Sequence, residues 1–287
     1  MKKKALKVSQ LLKNAETAFA KQDPELALRY LQQAVSQEPS NYYVIDAFAE
    51  GLLYIGDIDT AKAQFLHAHE VAPFTNVGRY MYLGQFTEGI ESLSFYNHGV
   101  DAIQKLCSDP SEQSPLLVSA YLAIAELYLT DLCFEENAEN ECEKYLTLAQ
   151  QLDPNNPEVY LSLCSFRLSQ KNEEDARNCL TRFDQICALD PSEIDPNSKL
   201  NAAKLHLELN NTELAMEYSD QILELDDSNI DALIVCTTAL AKEEDYEEAK
   251  NILEKAVFVA HSNDWPDLIE ELNQLRISLK IDDHVAS

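Results

Sequence analysis

The feature that most constrains this chain is a spacing. Ala27, Leu31, Ala34 and Pro39 reappear as Ala61, Phe65, Ala68 and Pro73, each displaced by 34 residues. A repeat of that length accommodates two short helices and their turns, and a repeat cannot bury its apolar face alone, so copies must stack. The residue types at the recurring positions fit this. Small side chains let paired helices approach closely, large ones fill the gap to the next pair, and proline stops the second helix. Periodicity within each half is helical: Leu11, Ala15, Ala18 and Phe19 form one stripe, and Leu28, Leu31 and Val35 another. With only 6 glycines in 287 residues, helices are expected throughout.

A 34-residue period of paired helices is the tetratricopeptide signature. The expected fold is all-α: a right-handed superhelical solenoid of about seven helix pairs, one array over 1–287, with a C-terminal capping helix over 264–281. The repeats fall near 8–41, 42–75, 76–108, 114–155, 158–192, 196–228 and 230–262. The pattern recurs through Ala125, Tyr128, Leu146, Ala149 and Pro154, around Ala176 to Pro191, at Ala203 and Ala215, and at Leu233, Ala249, Leu253 and Ala256. Trp265, beside Pro266, is placed at the start of the capping helix, packed on the last repeat.

Three segments depart from the pattern. The third repeat has a short aromatic first helix, with Gly84 and Gly89 around its turn, while Ser92, Tyr96 and Gly99 keep the small-large-small register. The fourth carries extra residues within "TDLCFEENAENECEKY" between its helices. "SDPSEQSP" (108–115) reads as a loop. An insertion in a repeat array marks a binding edge or is a tolerated surface loop, and the sequence leaves both open.

Charge narrows the partners. Lys plus Arg is 22 against 50 for Asp plus Glu, a net charge of −28. Such a field repels phosphate, so direct nucleic-acid and anionic-membrane contacts are not expected and a basic protein or peptide is. Solubility alone is the competing reading. No apolar run is long enough to cross a bilayer, and the opening "MKKKALKVSQLLKNAE" lacks a signal-peptide core, so an intracellular chain is expected. The "KKK" at 2–4 is too short to read as a nuclear signal. The 7 cysteines include no Cys-x-x-Cys pair and fit buried reduced thiols.

No recognisable chemistry emerges. Phosphate loops, nucleophile elbows and His-Glu-x-x-His are absent. His67 and His69 lie two residues apart and cannot share a metal on one helix face. His206 and His261 fit packing or solvent positions. No enzyme activity, metal or cofactor is expected.

The expected working surface is a groove lined by the first helices of successive repeats. In the second repeat it should carry Tyr43, Asp46, Glu50, Leu53 and Tyr54. The first offers Lys13, Glu16 and Phe19. The fourth offers Leu122, Glu126 and Leu129, with Asp131, Glu135 and Glu136 in the insertion. Carboxylates interleaved with aromatic rings suit lysine and arginine through ion pairs and cation–π contacts. Proteins of this class that hold acidic heat-shock tails use Lys, Asn and Arg there; this chain has Leu12, Glu16 and Glu50, which would repel a carboxylate.

"AEGLLYIGDIDTAKAQFLHAHEVAP", "GRYMYLGQFTEGIESLSFYNHGV" and "AELYLTDLCFEENAENECEKYLTLAQQLDPNNPE" with the following "RLSQ" resemble the fungal family of dedicated assembly chaperones for large-subunit ribosomal protein number four. The resemblance covers about residues 40 to 172, and its Tyr-Leu-Gly-Gln and Thr-Asp-Leu-Cys segments lie outside the general repeat consensus. It implies binding of the newly made client through the client's extended basic loop, and a monomer that takes one client is expected. It further implies shielding from aggregation and stray RNA, with delivery for assembly between cytoplasm and nucleus. The chain ends "KIDDHVAS", without a long acidic tail, so functions that depend on such a tail are not implied. A general scaffold or co-chaperone, or a regulatory subunit of an enzyme complex, would use the same fold.

Overall fold

In a computed structural model that describes residues 6–189 and 194–281, every regular element is helical. Pro191, the lysines at 2–4 and the last residues of the chain lie outside the described residues. The described helices are α1 (Val8–Ala20), α2 (Pro24–Gln37), α3 (Tyr42–Tyr54), α4 (Ile58–Val71), α5 (Val77–Gln85), α6 (Gly89–Leu106), α7 (Pro110–Leu129) and α8 (Ala138–Leu152). They continue with α9 (Pro157–Ser169), α10 (Glu173–Leu189), α11 (Pro196–Glu208), α12 (Thr212–Leu223), α13 (Ile230–Lys242), α14 (Tyr246–Ser262) and α15 (Pro266–Ser278). They pair in chain order, α1 with α2 and so on to α13 with α14, and α15 packs on α14. Two compact units divide the chain: Met1–Asp153 holds α1 to α8, and Pro154–Ser287 holds α9 to α15.

The repeat register is a packing register. Ala27, Leu31 and Ala34, and their counterparts Ala61, Phe65 and Ala68, are all buried. So are Ala125, Leu146 and Ala149 in α7 and α8, and Ala215 and Ala249 in α12 and α14. In the first unit, Ala49 and Leu52 of α3, Phe65 of α4, Tyr80 and Leu83 of α5 and Phe95 of α6 share one core. In the second, Leu272 of α15 and Ile281 beyond it close the core made by Leu233, Leu253 and Ala256. The terminal helix thus covers the apolar side of the last pair, while Trp265 stands at its N-cap and stays 48% exposed.

The turns within pairs are built alike. After α1, Gln22 takes φ 58 and Asp23 caps α2; after α3, Gly56 takes φ 80 and Asp57 caps α4. Lys171, Asn210 and Glu244 occupy the same left-handed position in the second unit. Each ends its helix by the αL route and hands the chain to a capping side chain. The third pair differs. Gly84 lies beneath the ring of Tyr96, where a Cβ would come within 2.5 Å of ring carbons, and Ser92 Oγ donates to the Gly84 carbonyl at 2.6 Å.

The segment 108–115 is not the expected loop. Asp109 accepts from the Ser111 amide at 2.9 Å and Pro110 occupies the first helical position, so α7 starts there. That capping side chain with proline at the first position is a helix-start signal. Pro115 lies beyond the first turn and is absorbed at the loss of one backbone bond.

Candidate functional site

Along the first helices of the first two pairs runs a depression of about 330 Å³. Its α1 side carries Leu12, Ala15, Glu16 and Phe19, and its α3 side carries Tyr43, Ala47, Glu50, Gly51 and Tyr54. Both sets follow helical geometry. At 100° per residue, Tyr43, Ala47, Glu50 and Tyr54 fall within roughly 60° of arc. Tyr43 and Tyr54 are 61% and 63% exposed, and the Phe19 ring meets Tyr54 edge-on with centroids 5.2 Å apart. Gly51 sets the depth: a Cβ there would lie 2.9 Å from Leu31 and 3.1 Å from Phe19. A glycine inside a helix costs about 1 kcal/mol relative to alanine, but only the fold shows which side chains approach it.

Tyr43, Glu50 and Tyr54 are therefore brought together, with Leu12, Glu16 and Phe19 opposite. Asp46 and Leu53 are not in the groove. They sit roughly 60–80° from the Tyr43 stripe, on the side of α3 that faces the next repeat. Leu53 packs against the α3–α6 core. Asp46 is 3% exposed and is held by Arg79 of α5, itself 0% exposed. Arg79 Nε donates to Asp46 Oδ1 at 2.8 Å and Arg79 Nη2 to Oδ2 at 2.7 Å, while Asn76 Nδ2 donates to Oδ2 at 2.9 Å. Arg79 Nη1 also donates to the Ala72 carbonyl at 2.8 Å. This network ties the second repeat to the third, and its charged pair, Asp46 and Arg79, is buried away from a ligand. Lys13 is exposed but lies outside the depression.

The fourth-repeat candidates occupy a different place. Residues 130–137 separate α7 from α8, where residues 21–23 suffice between α1 and α2. Asp131 accepts from the Gly89 amide at 2.9 Å, so it is spent on capping α6. Glu135 and Glu136 edge a second depression of about 460 Å³. Glu126 is exposed on α7; burial first, and its charge second, push the Tyr96 hydroxyl up to about 12.

The charged residues lining the first groove, Glu16 and Glu50, are both acidic. Partial burial, and secondarily the charge of Asp46, raise the Glu50 carboxyl above its ordinary value of 4.5. Glu16 and Glu50 supply acceptors on opposite walls, and three aromatic rings supply negative faces. Neither wall offers a charged donor for an anion.

Elsewhere, His67 is exposed and His69 half-buried against Tyr80, with Nδ1 3.0 Å from the hydroxyl. His206 is buried, its Nε2 3.1 Å from Asp184 Oδ1. Among the described residues no group of three His, Cys, Asp or Glu side chains can hold a metal ion, and no helix is long and apolar enough to cross a membrane. Cys142, Cys164, Cys187 and Cys236 are buried and free of disulfides; burial first pushes Cys164 up to about 12 and Cys236 up to about 11.

The helix pairs, their turn chemistry and their alanine register make this a tetratricopeptide-repeat protein. The tetratricopeptide repeat model matches residues 196–229, the α11–α12 pair. The chain is similar to two fungal proteins, each named a probable assembly chaperone of rpl4. The Emericella nidulans protein is 28% identical over 222 residues, 72% of this chain and 56% of that protein. The Schizosaccharomyces pombe protein is 31% identical over 173 residues, 57% of this chain and 52% of that one. The chain thus spans about half the length of these curated relatives. Among solved structures, the assembly chaperone of RpL4 (Acl4, residues 1–338) superposes with a TM-score of 0.75 at 21% identity, covering 86% of this chain and 100% of that one. A tetratricopeptide repeat protein from Parabacteroides merdae gives 0.64 at 14% identity, covering 94% of this chain and 98% of that one. The resemblance read from residues 40–172 is borne out by the two fungal relatives.

Proposed function

We propose that this chain is a dedicated, non-enzymatic chaperone that binds and shields a newly made basic protein of the large ribosomal subunit, protein number four, and delivers it for assembly. One chain takes one client, through the client's extended basic loop, with no direct contact to nucleic acid or membrane. The work is done in the cytoplasm and the nucleus. The observation that carries this reading is the groove between α1 and α3, where Glu16 and Glu50 flank Phe19, Tyr43 and Tyr54. The names of the two fungal relatives point to the same client.

The groove suits an arginine or lysine side chain, with the charge on a carboxylate and the stem or guanidinium plane on a ring. Each exposed ion pair contributes only about 0–1 kcal/mol. Ordering a flexible loop costs roughly 2–5 kcal/mol. Tight binding therefore requires several cation contacts together with aromatic anchors that exclude water. The test is titration of the isolated basic loop of the client against the wild-type chain and a Glu16→Lys, Glu50→Lys double variant. Both substituted side chains are exposed, so the fold should survive. Affinity should fall at least about tenfold, a loss of about 1.4 kcal/mol. Equal affinity of the two proteins would remove the groove from the reading, and absence of binding to the wild type would remove the client.

A further inference from the structure

The insertion between α7 and α8 holds a feature that the groove does not use. Phe134 is 97% exposed at its tip. The segment that carries it is ordered by its own bonds: Leu132 N donates to the Leu127 carbonyl at 2.8 Å, Glu135 N to the Leu132 carbonyl at 3.0 Å and Ala138 N to the Glu135 carbonyl at 3.0 Å. Leu132 is buried beneath it, and Asp131 fastens it to α6 through the Gly89 amide. A chain that only bridges two helices has no need to hold a phenylalanine out in water on so well anchored a loop.

Next to this tip lies the second depression. Its apolar floor is made by Leu93, Tyr128 and Leu132, and Ile90, 69% exposed, forms one wall. Glu135 and Glu136, both exposed, also line the depression. Glu141, also at the edge, is already paired with Lys144 at 2.7 Å, which leaves Glu135 and Glu136 as the charges facing an incoming ligand. The place is formed by the start of α6, the end of α7, the insertion and the first turn of α8; the groove instead runs along α1 and α3.

We propose that this edge is a second docking site, for a basic peptide segment that presents one large aliphatic or aromatic side chain. The apolar side chain fills the depression over Leu93 and Tyr128, and Ile90 and Phe134 close over it. Lysine or arginine on either side of it meets Glu135 and Glu136. Charge complementarity selects this occupant: an acidic or phosphorylated segment would be repelled by the same carboxylates, and a purely polar one would leave Phe134 and Ile90 in water. A central apolar anchor with a charged rim is the arrangement in which a few residues carry most of the binding energy. The site stands whether or not the groove takes the client proposed for it.

The test uses the full chain and a fluorescein-labelled peptide of alternating lysine and arginine with one central leucine, followed by fluorescence anisotropy. Binding should persist in the Glu16→Lys, Glu50→Lys variant. In that background Phe134→Ala with Ile90→Ala should weaken it at least about tenfold, as should replacing the peptide's leucine by glycine. Both replaced side chains are exposed, and circular dichroism checks that the helices remain. A Glu135→Gln, Glu136→Gln variant leaves the apolar depression intact and should flatten the salt dependence of the residual binding. Loss of all binding in the groove variant overturns the proposal, as does a residual binding indifferent to Phe134, Ile90 and the central leucine. The groove reading fails by a different result, undiminished affinity for the client loop in the Glu16→Lys, Glu50→Lys chain.

Discussion

Glu50 carries its charge where the surroundings resist it. Although its side chain reaches solvent, partial burial first and the nearby Asp46 second raise its pKa above the ordinary 4.5. In the free protein the sign is therefore that of a raised acid: the folded state binds the proton more strongly than the unfolded one. The stability this residue contributes is present below the unfolded value and lost as pH rises through the folded value. A bound guanidinium or ammonium reverses the preference, because it pairs with the ionised form. At a pH acidic enough to protonate Glu50 in the free chain, binding of a basic peptide should expel that proton, and affinity should decline as pH falls through the raised pKa. Glu50→Gln should bind more weakly at pH 7 and lose this part of the slope. Calorimetry in buffers of different ionisation enthalpy measures the proton released on binding; equal release by both proteins would mean that Glu50 does not meet the cation. Asp46 shows how residue roles can mislead in sequence. Its spacing from Tyr43 and Glu50 satisfies one broad helical stripe, yet a rotation of roughly 60° aims it at α5. Only the fold brings Arg79, 33 positions away, onto it. Removing one partner of such a buried pair costs roughly 3–5 kcal/mol, so Asp46 and Arg79 belong to the structure that aligns the second repeat with the third.

At the scale of elements, the turns of the α1–α2, α3–α4, α9–α10, α11–α12 and α13–α14 pairs each depend on one left-handed residue. Gly56 fills that position after α3, with φ 80 and no atom within 4 Å of where a Cβ would stand, so only backbone conformation penalises a larger residue. Gly56→Ala should destabilise the first unit by about 1 kcal/mol. Lys171, at φ 59 after α9, presents the reverse case. Lys171→Gly relieves the left-handed strain but adds freedom to the unfolded chain, leaving a net gain of about 0.5 kcal/mol. Urea unfolding of the full chain by circular dichroism checks both; equal and same-signed changes would mean that side-chain contacts, not backbone conformation, govern these turns. The contrast explains what was legible beforehand. The alanine register and the helix pairs rest on local spacing and could be read directly. Left-handed Gln22, Lys171 and Glu244 gave no signal, because neighbouring helices, rather than residue preference, hold them there. The start of α7 was missed for the opposite reason: Asp109-Pro110 is a strong helix-start pair, but Pro115 close behind it resembled a loop. In the groove, Tyr43, Glu50 and Tyr54 were visible on one stripe, whereas the Gly51 floor required knowing that Leu31 and Phe19 approach it.

At the scale of the whole molecule, the net charge of −28 acts before any contact forms. It extends the capture range for a basic segment and turns away phosphate, and its reach is set by the ionic atmosphere, about 10 Å at 0.1 M salt and about 3 Å at 1 M. The two stages of binding should therefore separate experimentally. Association, governed by steering, should slow by at least about tenfold between low and high salt. Dissociation, governed by the desolvated contacts at Phe19, Tyr43 and Tyr54 and at the Ile90–Phe134 edge, should change far less. Stopped-flow mixing of the chain with the client's basic loop over a series of salt concentrations measures both rates. If salt acted chiefly on dissociation, the acidity would lie in the contacts themselves, and the aromatic residues would no longer account for retention. If neither rate responded, the excess of 50 acidic over 22 basic residues would serve solubility alone. A slowed association with a steady dissociation is the outcome that joins the composition to the groove: charge gathers the basic chain, and the rings and buried stems keep it.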